Sequence, residues 1–597
     1  MRPQWKWSTL PAGFAFGLLV AGFLGLLLVP QLVAVLITAP GRLSGSGRIT
    51  FFDVPKLWLR SDPTLVTGAT IPPILHHMIA YGVLLVVLGI ALMFVIVFFA
   101  RSQNPQYIKG LATSFDADKE LGTTQLVRDR GPKLRPTLHP QSLTPEDCGL
   151  RIGSFFGKDL WLRMEDPTII IGPSRSGKGF FFILNWILAA PGAVVTTSSK
   201  MDNAMMTMLA RKRKGSKVWI FAPGVPGGDS LGHVLKWNPV VGCETELTLV
   251  RRIHALIPRD AFSGSTSNGG HWDTLGQQLS AALFHAAACM GANVDKIWEW
   301  VGSPQRAFEA VQAIREHQHG LYEYATHLET VINMPPEQRA SQWGVLPTSL
   351  AFLASRSARD WMKPAPGDEI DLVDFVVNKG TLYLVGDKQS TGGYVRIIDG
   401  LLAEVDYVTK GLADVMPGTR LEPPITYLLD EAGNFEYQGL PELITAGGGR
   451  GRVGVAVFQS KNQLRQYGQD AEKTLWDAAP VKLVLPGGGD PAELQALSDL
   501  VGAQWVAREQ HSWGVGPSSV SVSEEKRAII EANVIREMKA GFAILFYKNL
   551  KPLIPKLTPF SEHQDYDQFV QDAAQLAAEL REHSPFASQA IAHGGKV

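Results

Sequence analysis

The sequence predicts an α/β fold: a parallel β-sheet covered on both faces by helices, built around a phosphate-binding loop and preceded by membrane-spanning helices. Three observations lead there. Short β-branched runs alternate with helical segments through most of the 597 residues. One of them, Thr168-Ile169-Ile170-Ile171, feeds into Gly172-Pro173-Ser174-Arg175-Ser176-Gly177-Lys178-Gly179, a Gly-x-x-x-x-Gly-Lys loop. Two long apolar stretches, Ser8 to Gly41 and Ile74 to Ala100, contain no Asp, Glu, Lys or Arg.

The loop carries most of the functional argument. Its glycines let backbone N–H groups turn inward on a polyphosphate at the positive end of the apolar helix expected from Phe180 to Ala190, while Lys178 reaches the outer phosphates. Gly172 through Gly179 are therefore the candidate nucleotide-binding residues. Gly179 stands where such loops usually place a Ser or Thr for Mg²⁺, so the metal must rely on water, phosphates and a second carboxylate. The run Ile425-Thr426-Tyr427-Leu428-Leu429-Asp430-Glu431 supplies one. An apolar strand ending in two acids suits Asp430 to hold the metal shell and Glu431 to polarise the attacking water. ATP and Mg²⁺ are thus the expected cofactors.

Downstream, Gly447-Gly448-Gly449-Arg450-Gly451-Arg452 precedes the strand Val453 to Phe458, which ends in Gln459. A polar Gln459 at that tip is placed to sense the γ-phosphate. Arg450 and Arg452 are candidates to stabilise developing charge at a neighbouring subunit's nucleotide. Lys178, Glu431, Arg450, Arg452 and Gln459 form the expected catalytic set.

Composition limits the partners. Lys+Arg and Asp+Glu both number 56, so no global basic field advertises nucleic-acid binding. Cys148, Cys243 and Cys289 lie far apart, which argues against a zinc module and a disulfide framework and fits a reducing compartment.

In chain order, residues 1–110 read as a transmembrane anchor, with helices over about 10–37 and 74–100 and an outer loop at 42–73. Basic flanks do not orient it; a cytoplasmic ATP site does, placing the N-terminus and motor inside an inner membrane. Residues 102–150 are polar and proline-marked, a connector along the motor surface. Residues 111–240 form the first part of the nucleotide-binding domain, with strands at 192–197 and 218–221. The cluster Arg211 to Lys217 reads as a solvated helix end closed by Gly215 rather than a nucleic-acid contact. Residues 241–370 read as an all-α domain, with helical spacing in Leu275 to Met290 and Lys296 to His317; His271 beside Trp272 reads as packing or capping. Residues 371–560 are the second part, with strands at 380–385, 425–429, 453–458, 481–485 and 542–547. Residues 561–597 are an acidic amphipathic helix, Asp565 to His583, and a small polar tail.

These stretches resemble the TraG/TraD-type coupling proteins of conjugation and type IV secretion. The matching segments are GPSRSGKG (172–179), SSKMD (198–202), KWNP (236–239), HWDTL (271–275), LLDEAGNF (428–435), PELITAGGGRGR (441–452), VAVFQS (455–460) and KLVLPGGGDPAELQALSDLVG (482–502). Gly after the loop Lys also occurs in that family, whereas Ala-Gly-Asn after Asp-Glu departs from its Phe-Ala-Asn. The resemblance implies a RecA-like P-loop ATPase that is membrane-anchored, forms a ring, expected to be hexameric, and translocates DNA. It would recruit relaxase-bound DNA, expected single-stranded, and/or effector proteins to the secretion channel. Two alternatives stay open: a FtsK/HerA-type DNA translocase, and a docking receptor that binds nucleotide with little hydrolysis.

Overall fold

The computed structural model describes residues 28–37, 54–59, 72–257, 269–386, 393–435, 437–468, 470–512 and 519–593. The chain divides into two compact units, Met1–Lys109 and Gly110–Val597.

In the first unit, α1 (Pro73–Gln103) carries the segment Pro73–Met93, with mean hydropathy 2.1. Twenty-one residues span about 30 Å at ~1.5 Å per residue, enough to cross a bilayer. Among the described residues it is the one helix of that length and apolarity. A shorter apolar helix, Leu28–Ile37, packs beside it, and Gln31 Oε1 meets His76 Nε2 at 3.0 Å. Residues 10–27 of the expected first span lie outside the described residues, as does most of the expected outer loop, of which Val54–Leu59 is helical.

The second unit is built on one large sheet, one small sheet and a two-stranded ribbon. The small sheet pairs β1 (Gly149–Phe155) with β2 (Lys158–Arg163), both antiparallel, and with β13 (Lys556–Leu557). The remaining strands are β3 (Thr168–Ile171), β4 (Val194–Ser198), β5 (Val218–Phe221), β6 (Thr381–Val385), β7 (Ile425–Leu429), β8 (Arg452–Phe458), β9 (Val481–Val484), β10 (Ala503–Ser512), β11 (Ser519–Ala528) and β12 (Ile544–Tyr547). Eight of them form the large sheet in the order β12-β9-β3-β8-β7-β4-β6-β5. Every pairing is parallel except β12 with β9. β3, β4, β6 and β7 are buried at every position, as strands covered on both faces must be. Their near-continuous apolar runs made them legible.

Between β5 and β6 the described residues contain helices and no strand. Gly269–Cys289 is the longest of these helices. The helical run expected from Lys296 to His317 is two helices, Val294–Val301 and Phe308–Glu316, separated around Gly302-Ser303-Pro304. Two other expectations need correction. The connector carries short helices whose Leu126, Leu134, Leu143 and Cys148 bury against Trp161 of β2. A second correction is that β10 and β11 pair as a long antiparallel ribbon that the strand reading missed. The basic cluster is largely the solvated helix end expected, with Lys212 to Gly215 and Lys217 exposed and Gly215 at φ +85°, but Arg211 is buried.

That cluster closes α2 (Asp202–Arg213). Arg211 is buried and donates to Thr381 Oγ1 and to the carbonyls of Ala190 and Gly192. Arg213 forms a bidentate pair with Asp572, at 2.9 and 2.6 Å, on α5 (Tyr566–His583). Here α3 and α4 denote Tyr394–Val415 and Pro491–Val501. Around the pair, Phe560 and Phe569 pack with Leu184, Leu188 and Ala210. The C-terminal acidic helix is therefore a structural brace on the motor. Asp572 is buried while Arg213 is half exposed. Arg213→Ala leaves the buried carboxylate without its cation, with Gln568 Nε2 still donating to it at 3.1 Å, and should cost about 1–2 kcal/mol. Hydrogen exchange across 566–583 should accelerate in that variant, and unchanged exchange would show that the apolar contacts suffice.

Candidate active site

In a doubly covered parallel sheet, ligands bind at the carboxyl ends of the strands. β3 and β8 are register partners up to Ile171 and Phe458, and β7 pairs with β8 up to Leu429 and Ala456. The three tips therefore release the phosphate loop, Gln459 and Asp430-Glu431 at one edge. Gly172 N–H donates to Phe458 O at 3.1 Å, which seats Gln459 beside the loop's first residue.

The loop is a tight nest. Gly177 has φ +88°, and a Cβ there would stand 2.6 Å from the Phe181 ring. A Cβ on Gly172 would meet Ser176 Oγ at 2.7 Å. Arg175 adopts a positive φ of 62°, a conformation side-chain-bearing residues hold only when the surroundings fix it. Lys178 Nζ donates to the carbonyls of Gly172 and Pro173, at 2.6 and 2.8 Å, curling over the cradle. Ser176 Oγ is buried without a hydrogen-bond partner. An orphaned hydroxyl in a ring of inward-turned backbone fits a polyphosphate ligand. Pro173, Ser174 and Gly179 line the same turn. A Cβ on Gly179 would meet nothing within 4 Å, so the position lacks a hydroxyl but not the room for one. The following turn, Gly179–Ile183, is π-helical, with Leu184 N–H bonded to Gly179 O. Such turns are frequent at functional sites.

Asp430 and Glu431 face this loop. Burial, with Glu431 close by, pushes the Asp430 carboxyl up to about 6, against the opposing pull of Lys178. Burial lowers the Lys178 ammonium, while Asp430 and Glu431 support its charge. One cation and two carboxylates thus share a poorly hydrated space, an arrangement suited to a divalent metal and a phosphate chain. Thr197 Oγ1 of β4 donates to Asp430 O at 3.0 Å, fixing the strand tip. Glu431 itself is left-handed, φ 52° and ψ 42°. Asn434 holds it there: its Nδ2 donates to Glu431 Oε2 at 3.1 Å and its N–H to Glu431 O at 2.7 Å.

The arginines are elsewhere. Arg450 and Arg452 stand at the start of β8, roughly 20 Å from Gln459 by strand rise. Arg452 is fully buried, ion-paired with Asp406 of α3 and 3.8 Å from Glu442. Burial lowers its guanidinium to about 10. It serves the core of its own chain, and reaching another subunit would dismantle that network. Arg450 is 42% exposed and 3.3 Å from Asp414. Sequence reasoning missed Asn203, a buried neighbour of Asp430 on α2, and Asn434. Both sit in or beside segments that had already drawn attention, SSKMD and LLDEAGNF. Among the described residues no group of three or more His, Cys, Asp or Glu is placed to hold a metal ion.

The raised Asp430 carboxyl sets a pH signature. The folded chain holds this proton more tightly than the unfolded one, so its contribution is fully present below about pH 4 and is lost as pH rises through about 6. In magnesium- and nucleotide-free buffer, Asp430→Asn should therefore raise the melting temperature relative to wild type at pH 7.5 and much less at pH 5, a difference on the order of 2 kcal/mol. An identical offset at both values would contradict the shift.

Residues 132–341 match the family described as type IV secretory system conjugative DNA transfer, and residues 424–540 match the TraM recognition site of TraD and TraG. Comparison with curated proteins returned no match. The bacterial conjugative coupling protein TrwBdeltaN70, in an unbound monoclinic form, superposes with TM-score 0.50 at 16% identity, covering 67% of this chain and 86% of that one. TrwB structures with the ATP analogue ADPNP and with ADP and Mg²⁺ align at TM-scores 0.49 and 0.47, each at 16% identity over 66% of this chain and 86% and 85% of theirs. The TrwBdeltaN70 match supports a shared RecA-like fold. With the two family matches in chain order across one P-loop motor, this chain belongs to the type IV coupling proteins of conjugative DNA transfer.

Proposed function

We propose that this coupling protein is an ATPase that drives relaxase-bound DNA, and effector proteins where its system exports them, into a type IV secretion channel. The observation that carries the reading is the convergence of Lys178, Asp430, Glu431 and Gln459 at one sheet edge of a chain from the conjugative DNA-transfer family. Gly172 to Gly179 bind the phosphates through backbone N–H groups, and Lys178 leaves its carbonyl partners for the outer phosphates. Asp430 holds Mg²⁺, which supplies neutralisation of charge on the phosphates. Glu431 orients and deprotonates the water, and Gln459 reads the γ-phosphate from the neighbouring strand. Arg450 acts on the next subunit's nucleotide by exchanging its half-exposed pairing with Asp414, while Arg452 supports β8 from within.

A ring, in this proposal hexameric, follows from that division of labour: the cis site lies at one end of β8 and the trans arginine at the other. Two apolar helices tied by Gln31 and His76 anchor it in the inner membrane, with the N-terminus and motor in the cytoplasm. The helical segment 241–370 recruits cargo. With net charge zero, the DNA path depends on local lysines and arginines and is salt-sensitive.

Lys178→Ala should abolish conjugative transfer in the chain's own secretion system while the protein still fractionates with the membrane. Normal transfer by that variant would rule out the motor. For the trans arginine, Arg450→Ala should reduce turnover by about 10³-fold or more. Mixing it with Glu431→Gln subunits should restore part of that activity through heterologous interfaces, as measured by ATP turnover across mixing ratios; a strictly linear dilution curve would place Arg450 outside the site.

A further inference from the structure

The segment after Gln459 does more than leave the sheet. Gln459 N–H donates to Gln463 Oε1 at 2.8 Å. The 3₁₀ segment Lys461–Tyr467 then turns back over the loop that carries Glu431. Gln463 lies flat on that loop: a Cβ on Gly433 would stand 2.6 Å from its amide carbon. Gln466 Nε2 donates to Ala432 O and Phe435 O, at 2.9 and 3.0 Å. Tyr467 Oη lies 3.0 and 3.1 Å from the same two carbonyls. Its ring meets Phe458, the β8 residue paired with Ile171 at the mouth of the phosphate loop, edge-on at 6.5 Å.

We infer that Gln463, Gln466 and Tyr467 are positioning residues that couple the phosphate-sensing tip of β8 to the conformation of Glu431. The contacts are continuous. Gln459 and Phe458 grip Gln463 and Tyr467; Gln463 lies against Gly433, Gln466 and Tyr467 clamp the carbonyls of Ala432 and Phe435, and the loop between holds Asn434 on the Glu431 carboxylate. The contacts of Gln466 Nε2 to both carbonyls, and of Tyr467 Oη, whose one proton serves one carbonyl at a time, are more than a surface turn requires. They hold a left-handed glutamate whose backbone would relax if released. A ligand that shifts Gln459 must therefore move or tighten the glutamate loop, making water activation conditional on an intact γ-phosphate.

The inference rests on the hydrolysis reading above, and the test separates the two. Full-length chain in nanodiscs is compared with Tyr467→Phe, which keeps the ring on Phe458, and with Gln466→Leu/Tyr467→Phe. Turnover should fall roughly tenfold to hundredfold, because small displacements of a catalytic group suffice for that, while KM for ATP stays within about twofold. A non-hydrolysable ATP analogue should slow amide exchange at 172–179 in every protein, but at 432–435 only in wild type. Wild-type turnover with wild-type protection at 432–435 overturns the inference. Parallel loss of nucleotide binding and protection at 172–179 also overturns it, since the residues would then be merely structural. If wild type itself does not hydrolyse ATP, the motor reading fails, and the exchange arm still decides whether the clasp exists.

Discussion

The parallel register of β3, β8 and β7 is the constraint from which the site follows. β-Strands hydrogen-bonded in parallel must all point their carboxyl ends the same way, and right-handed crossovers place helices on both faces. Once Ile171, Phe458 and Leu429 lie near one edge, the phosphate loop, Gln459 and the Asp430-Glu431 pair are brought within reach of one another, although they are widely separated in sequence. The same register sends Arg450 and Arg452 to the opposite edge.

Electrostatics completes what topology begins. A lysine and two carboxylates share this edge, and burial disfavours the charged forms of Lys178 and Asp430. That tension is characteristic of sites that bind charged ligands, since a metal and a phosphate chain relieve it. The structure meets the cost of this edge through rigid support behind it: Thr197 on Asp430, Asn434 on Glu431 and a clasp from the segment after β8.

Much of this was legible in the sequence because buried parallel strands are short apolar runs and because glycine-rich phosphate loops have a fixed grammar. TIII before GPSRSGKG and ITYLL before DE are unambiguous for those physical reasons. What escaped lacks periodicity. β10 and β11 alternate polar and apolar residues only loosely, and Trp505 is largely exposed. The buried ion pair of Arg452 and the bidentate pair of Arg213 with Asp572 depend on partners distant in sequence, so charge patterning alone could show neither pairing. Gln463, Gln466 and Tyr467 are polar residues in a short irregular segment, and only the fold reveals that Gln466 and Tyr467 converge on two carbonyls while Gln463 accepts from Gln459 N–H.

The central claim is that hydrolysis at the Lys178–Asp430–Glu431 edge is coupled to cargo. Its most direct test is steady-state ATP turnover by the full-length protein in nanodiscs, with and without single-stranded DNA, beside Glu431→Gln. The account predicts turnover that rises with DNA and disappears in the variant. Nucleotide binding without turnover in either condition would contradict it and identify the chain as a docking receptor served by another ATPase.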